Sequence, residues 1–372
     1  MSFIIDGTSG ATFPSGKVQP DASSPYVMKN RIINGAMVID QRNAGASVTA
    51  TTTNPTYTLD RWAAYFSQNS KYTVQQNAGS VTPPAGYTKY LGVTSSSAYT
   101  VGASDYFAIG QSIEGLNVTD LDWGTANAKT ITFSFWVRSS LTGTFGGALQ
   151  NSAYNRIYPY SYTISSANTW EQKTITIAGD TTGTWLTTNG VGIRVLFGLG
   201  AGSTYGSGTA GAWSSTESWN CSGATSVVGT NGATFYITGV QLEVGSTATA
   251  FEWRPYSLEL SMCQRYYYVA QSGAYTSMAA VGLQYASTSV TAIVTFPVTM
   301  RTTPTLTASS GTNYFTFARN GGVDTFNSWS SDLMSPQSAF IYNSTEISGT
   351  AGQSGFLYST VAGTYTAFSA EL

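Results

Sequence analysis

The 372-residue chain has no histidine, so it cannot form a Ser-His-Asp or Cys-His nucleophile pair or any histidine-bearing metal site. Its two cysteines, Cys221 and Cys263, are too few for a four-cysteine zinc site. They leave open either a disulfide or two separate thiols, Cys263 small and buried on a helix and Cys221 in a loop. Carboxylates remain. Glycan cleavage needs two of them about 5 Å, or about 6.5–9.5 Å, apart across a groove. Asp120 and Asp122 alternate on a turn-like stretch before Trp123-Gly124, and Glu252 adjoins Trp253 and Arg254. Each pairing is only nearness along the chain, and Glu252 with Arg254 reads better as the brace of a corner. No enzyme is expected. Asp40, Asp60, Asp105 and Glu243 offer hard oxygen ligands without the spacing of a calcium loop, so no metal and no cofactor are expected.

The residue types that remain are suited to binding. Tyr205, Trp213 and Trp219 stand among Gly, Ser and Thr in a strand-poor stretch from Gly198 to Gly232. Aromatic faces stack on the apolar faces of sugar rings while small polar neighbours supply hydrogen bonds. The same residues also anchor protein interfaces, or pack a long loop. A second cluster comprises Phe317, Arg319, Asn320, Asp324, Phe326, Asn327, Trp329 and Asp332 around the Gly321-Gly322 turn. Its mixture of rings, amides and carboxylates suits a receptor-binding surface. The alternative is an ordinary hairpin with Trp329 buried. The ligand-binding candidates are therefore Tyr205, Trp213, Trp219, Phe317, Arg319, Asp324 and Trp329.

The composition narrows the class of protein. Charged residues are 9% of the chain, against about 25% in ordinary globular domains, and the hydrophobic share is 42%. Strand segments rich in Thr, Val, Tyr and Phe, on a surface poor in charge, suit an all-β protein packed against copies of itself. A net charge of −2 builds no positive patch, so nucleic acid is not an expected partner. No apolar run approaches the ~20 residues of a membrane span, so membrane insertion is not expected. Met1-Ser2-Phe3-Ile4-Ile5-Asp6 lacks the basic and apolar regions of a secretory signal.

Four segments position these residues. Residues 1–29 read as an extended arm: Phe3, Ile4 and Ile5 form a strand for a neighbour, turns follow at Asp6-Gly7 and Ser9-Gly10, and Phe13 precedes Pro14. Residues 30–254 alternate apolar and polar positions in short strands, as a sandwich requires. Met37-Val38-Ile39, Tyr72-Thr73-Val74, Ile131–Val137, Ile193–Phe197 and Phe235–Val240 are examples. Residues 255–269 are a linker with one helix from Ser257 to Tyr268, capped by Ser257 and striped by Leu258, Met262 and Tyr266. Residues 270–372 return to strands, among them Val290–Phe296, Tyr314–Phe317 and Ala339–Tyr342.

One stretch carries a resemblance. Val240-Gln241-Leu242-Glu243-Val244-Gly245 leads through Phe251-Glu252-Trp253-Arg254-Pro255-Tyr256 to Cys263-Gln264-Arg265-Tyr266-Tyr267-Tyr268. It resembles the junction in many phage tail-fibre and other virion structural proteins, where a jelly roll ends in a "QLEVG" strand followed by "ERRPY…LCQRYY". Phe296-Pro297-Val298-Thr299-Met300-Arg301 with Thr303-Pro304 resembles a second string of such fibres, in their C-terminal domains. Leu59-Asp60-Arg61-Trp62, Gln111–Gly115 and Trp170-Glu171 are similar to the carbohydrate-binding-module-like jelly rolls of phage tail proteins. The resemblance implies a jelly-roll sandwich followed by a C-terminal β-sandwich domain, in a homotrimer. It also implies a non-catalytic tail-fibre adhesin in the virion, with the arm (Phe3, Ile4, Ile5, Phe13) on other virion proteins and loops on a host-surface glycan or protein. A capsid decoration protein or head fibre with a structural role is the alternative.

Overall fold

The structure, a computed structural model, describes residues 4–6, 10–12, 18–19, 28–51 and 53–372. It is all-β, and among the described residues Tyr256–Gln264 is the one α-helix. Ile4–Asp6, Gly10–Thr12 and Val18–Gln19 pair as a small antiparallel sheet. Of the arm residues, Ile4 and Ile5 belong to its first strand, and Phe3 and Phe13 lie outside the described residues.

The next part is a jelly-roll sandwich of two six-stranded antiparallel sheets. The first sheet runs in the order Glu171–Ile177, Ile131–Ser139, Thr234–Val244, Leu91–Ser95, Tyr72–Gln76 and Val48–Thr49. The second runs Ile157–Ile164, Gly143–Gln150, Val191–Ala201, Tyr106–Glu114, Ala63–Phe66 and Thr56–Tyr57. Successive side chains of a strand point to opposite faces, so Ile131, Phe133, Phe135 and Val137 go inward together and meet Ile193, Val195, Phe197 and Leu199 from the other sheet. Phe197 touches Phe133 at 5.5 Å and Phe135 at 4.9 Å between ring centroids, which locks the two layers in register.

Two local expectations fail, each for a polar reason. Met37-Val38-Ile39 is not a strand. Met37 has φ 60°, and the Asn34 side chain clamps this segment by accepting from Ile39 N at 3.0 Å and donating to Ile39 O at 2.8 Å. The helix begins after Pro255 with no side-chain cap, instead of at Ser257. It ends at Gln264, short of Tyr268; its buried side is Glu259 and Cys263, one residue round from Leu258 and Met262, with Leu258 exposed, while Tyr266 is buried as expected but lies past the helix end. A buried Glu on that side is satisfied by Arg254 at 3.3 Å and by the Asn34 backbone N–H, so hydrophobic periodicity alone selected the neighbouring face.

The last hundred residues pack a three-stranded sheet (Tyr267–Ser272, Tyr365–Ser369, Thr305–Ala308) with a seven-stranded one. The latter runs Gly322–Phe326, Phe315–Arg319, Ser354–Tyr358, Ser277–Ala286, Ser289–Thr295, Ser338–Asn343 and Ser330–Asp332. Val290, Val294, Phe315, Phe317, Trp329, Ile341, Leu357 and Phe368 form its core, which is separate from that of the jelly roll.

Candidate functional site

The motif residues that carry the resemblance converge on the joint between the two sandwiches. Arg265 donates to both carboxylate oxygens of the buried Glu114, at 2.9 and 2.5 Å, and Tyr266 donates to the same group at 2.6 Å. Burial pushes the Tyr266 hydroxyl up to about 12, so it remains a donor at neutral pH. Arg61 lies over the Tyr266 ring at 3.5 Å, donates to Ser112 O at 2.5 Å and pairs with Glu371. Arg42 stacks over Tyr267 at 3.5 Å and reaches Glu371 at 3.0 Å. Arg301 donates to Ala370 O at 2.7 Å and to Asn189 O at 2.8 Å, tying the C-terminal sheet to a loop of the jelly roll. Glu252 accepts from the backbone of Lys29 and Asn30 at 3.1 and 2.8 Å and pairs with Arg254 at 2.7 Å. These groups brace a corner. Their carboxylates are all paired inside the chain, and the Nε groups of Arg42, Arg61 and Arg254 that lack a partner are buried.

A different group of residues forms an aromatic platform on the jelly roll. Trp123, Trp185 and Trp213 meet edge to face, with centroid separations of 4.8 Å (Trp123–Trp185), 5.2 Å (Trp123–Trp213) and 5.5 Å (Trp185–Trp213). Tyr158 joins Trp213 at 5.1 Å. All three indole N–H groups donate to the protein: Trp123 to Lys129 O at 2.9 Å, Trp213 to Ala178 O at 2.8 Å and Trp185 to the Asp180 carboxylate at 3.2 Å. Asp180 is itself gripped by Arg156 through two bonds of 2.7 Å. Burial alone would raise the Asp180 carboxyl, but the hydrogen bonds from Arg156 and Thr182 outweigh it and hold the group below its ordinary 3.8. With every N–H tied down, the platform has fixed ring orientations. Trp185 and Trp213 are half-buried against the jelly-roll core, and Trp123 is buried.

Two hollows flank the platform. On one side a 480 Å³ hollow is lined by Trp213 with Ser207, Thr209, Ser214, Thr216 and Ser218, a size within the about 300–1,000 Å³ typical of small-molecule pockets. On the other a 230 Å³ hollow is lined by Trp123, Trp185, Thr119, Thr125, Thr187 and Asp122. Neither brings two free carboxylates face to face: Asp122 pairs with Lys129 at 3.4 Å, Asp120 with Arg31 at 2.7 Å and Asp180 with Arg156. Among the described residues no three His, Cys, Asp or Glu side chains gather as metal ligands. Asp40, Asp60, Asp105 and Glu243 each accept hydrogen bonds from N–H or O–H donors in their own locality.

The loop that carries Trp213 lies along an edge strand. Ser214 and Ile157 exchange backbone bonds of 2.8 and 2.9 Å, and Gly211 donates to Pro159 O at 2.9 Å, so the loop covers the open side of Ile157–Ile164. Gly208 is required there, since a Cβ would come within 2.5 Å of Pro159. Further along, Trp219 stacks on Tyr106 at 4.2 Å and touches Tyr65 at 5.6 Å, and Tyr205 meets Tyr106 edge-on at 5.5 Å. Trp219 is buried and its indole donates to Glu217 at 2.9 Å. Tyr205 and Trp219 therefore anchor the loop on the outer face of the second sheet, and only Trp213 of that trio reaches the platform.

In the C-terminal domain Phe317 and Trp329 are core residues: Phe317 points between the sheets from its strand, and Trp329, in the loop before Ser330–Asp332, packs edge-on against Phe326 at 4.7 Å. Arg319 pairs with Asp324 at 2.7 Å and lies over the Phe317 ring at 5.2 Å, closing the end of that core. Trp329 is thus the buried tryptophan of a hairpin, the second of the two readings of that cluster. Sequence reasoning missed Trp185 and the part played by Trp123. The available signal was a tryptophan among threonines, Thr181-Thr182-Gly183-Thr184-Trp185, the same setting that drew attention to Trp213. Both cysteines are free and buried.

No protein-family model matches the chain, and no curated protein does. Solved structures match in part. The enzymatically active domain of tailspike protein 4 of bacteriophage CBA120 is 11% identical over 58% of this chain and 22% of that one, with a TM-score of 0.30. A carbohydrate-binding module, CBM4, is 14% identical over 57% of this chain and 98% of its own, with a TM-score of 0.28. TmCBM61, solved with β-1,4-galactotriose, is 13% identical over 50% of this chain and 88% of its own, with a TM-score of 0.25. The matched region spans about a fifth of the tailspike domain, 22% of its length. Likeness at these scores carries no argument about function.

Proposed function

We propose that the chain is a non-catalytic virion adhesin of the phage tail-fibre type, which holds a host-surface glycan against Trp185 and Trp213. The observation that carries this reading is the platform itself: orientation-locked indoles with their N–H groups satisfied, set between one hollow rich in Ser and Thr hydroxyls and one lined mainly by apolar side chains with three threonines. A sugar ring stacks its C–H face on such a surface and its hydroxyls find donors and acceptors at the rim. The junction motifs support the virion part of the reading. Residues 1–29 then hold the protein to other virion components of the tail, and three copies of the chain add avidity to individually weak sites.

The test is an array of immobilised bacterial envelope oligosaccharides probed with the full-length protein. Trp185→Ala and Trp213→Ala should each cut the signal on any bound glycan by about tenfold or more, the equivalent of at least ~1.4 kcal/mol. Wild-type retention by both variants would overturn the assignment of the site.

A further inference from the structure

The outward face of the seven-stranded sheet carries an apolar row that none of the described residues covers. Strand pairing sets Val323 opposite Ala318, Ala318 opposite Phe356 and Phe356 opposite Val281. The Gly282–Ala292 pairing brings Val281 alongside Ile293, and Ile293 stands opposite Phe340. The row crosses six strands without interruption. Val323 is 60% exposed, Phe356 76%, Val281 68% and Ile293 64%, and Leu283 and Tyr285 widen the patch at 42% and 74%. This follows from the alternation of the strands: Val290, Ala292 and Val294 point into the core, so Ile293 must point out.

The size of this patch decides what it is. At about 150–200 Å² of accessible surface per large side chain, these residues leave roughly 700 Å² of apolar surface in water. The largest patch on a typical monomer is about 300–600 Å². A standard interface buries about 800 Å² per partner. Charge is missing as well. Among the strand positions of this sheet that face outward, Asp332 on the edge strand, opposite Phe340, is the only side chain charged at neutral pH. A glycan needs convergent hydrogen-bonding groups, and this flat aliphatic and aromatic face offers a few threonine and tyrosine hydroxyls at its margin. A surface of the same character is its best match.

We propose that this face packs against the same face of further copies of this chain, burying the Val323–Phe340 row at a shared symmetry axis. Sheets brought face to face interleave at about 10 Å, and one row of Val, Ile and Phe side chains fills the grooves of another. A face presented by every copy to one axis closes the assembly and leaves no row exposed. The proposal gives a surface to the self-association in the proposed function and rests on that reading only for a copy number of three. No glycan enters its test, so either can fail without the other.

The experiment is sedimentation velocity on the full-length protein at micromolar concentration. The wild type should sediment as a multiple of 39.3 kDa. Phe356→Asp and Ile293→Asp bring a charge to the buried row and should weaken association by about 100-fold or more. Each variant should then run at 39.3 kDa with an unchanged near-ultraviolet circular dichroism spectrum, because both sites face solvent in the single chain. Should the charged variants misfold, the milder Phe356→Ser gives the same readout. A monomeric wild type, or folded variants that keep the wild-type mass, would overturn the proposal. Glycan-array signals from the same variants report on the tryptophan platform alone.

Discussion

The joint between the two sandwiches and the tryptophan platform are both built from aromatic and charged side chains, yet they are opposite kinds of structure. At the joint the charges are buried and paired: the Arg61 and Glu371 side chains are 1% and 4% exposed, and Glu114 is 1% exposed against Arg265. On the platform one buried pair, Arg156–Asp180, stands behind the rings and only orients them. The joint spends its hydrogen-bonding capacity on holding two domains at one angle. The platform spends its own on freezing three rings, two of which, Trp185 and Trp213, stay partly open to solvent. Aromatic and charged composition by itself therefore does not tell a brace from a binding site; the destination of each N–H does.

The sharpest way to break this comparison is to remove Arg61. Arg61→Ala leaves the Glu371 carboxylate buried beside Arg42 alone and deprives Ser112 O of its donor. Loss of one partner of a buried pair costs about 3–5 kcal/mol. Differential scanning calorimetry should show a lower first transition and the two sandwiches melting separately. A single unshifted transition would mean that the joint is not a stability element.

Next come two tryptophans of one loop with different roles. Trp219→Ala removes a buried ring stacked on Tyr106 and should cost about 3 kcal/mol of stability. Trp213→Ala should lower glycan binding about tenfold while moving the melting temperature by only a few degrees. Thermal melts and array signals of both variants, side by side, check the pair, and the reverse pattern would exchange their assignments.

A smaller effect comes from pH. The Asp180 carboxyl is held below 3.8, so the ionised form contributes stability that is present above that value and lost as pH falls through its lower folded-state value. Acidification below about pH 4 should loosen Trp185 before the chain unfolds, and Asp180→Asn should remove that step. Tryptophan fluorescence over pH 2–5 (about that range covers the carboxylates) reads it. The smallest expected effect is none. Burial raises both thiols, so Cys221 and Cys263 should resist a thiol reagent until the protein unfolds, and a reductant should not change the melting temperature.

The joint was easier to read from the chain than the platform, for a physical reason. Its residues come in short consecutive strings, Asp60-Arg61-Trp62 and Arg265-Tyr266-Tyr267, and the alternation in Ile131–Val137 or Val290–Phe296 directly gives the sheets they connect. The platform draws single rings from three loops whose meeting depends on long-range register, and loops carry no periodic signal. Trp213 was visible because its surroundings were unusual; its partners Trp185 and Trp123 were not grouped with it, since nothing local links them. The second cluster failed differently. Phe317 alternates with polar neighbours along its strand while Trp329 sits in a loop, and only the packed sheets show that both rings point inward.

The loop docked on Ile157–Ile164 gives this molecule an evolutionary constraint. The backbone that displays Trp213 also occupies the hydrogen-bonding edge of that strand through Ser214 and Gly211. Point substitutions at its outward side chains leave that edge protected, so under the proposed function preference for one glycan over another can drift cheaply. Insertions, deletions or a larger residue at Gly208 would lift the loop and bare an adhesive strand. Variation in recognition is thus channelled into residue identity at fixed loop length, and sequences of related chains should differ at Ser207, Thr209 and Thr216 far more often than they change the spacing between Gly208 and Ser214.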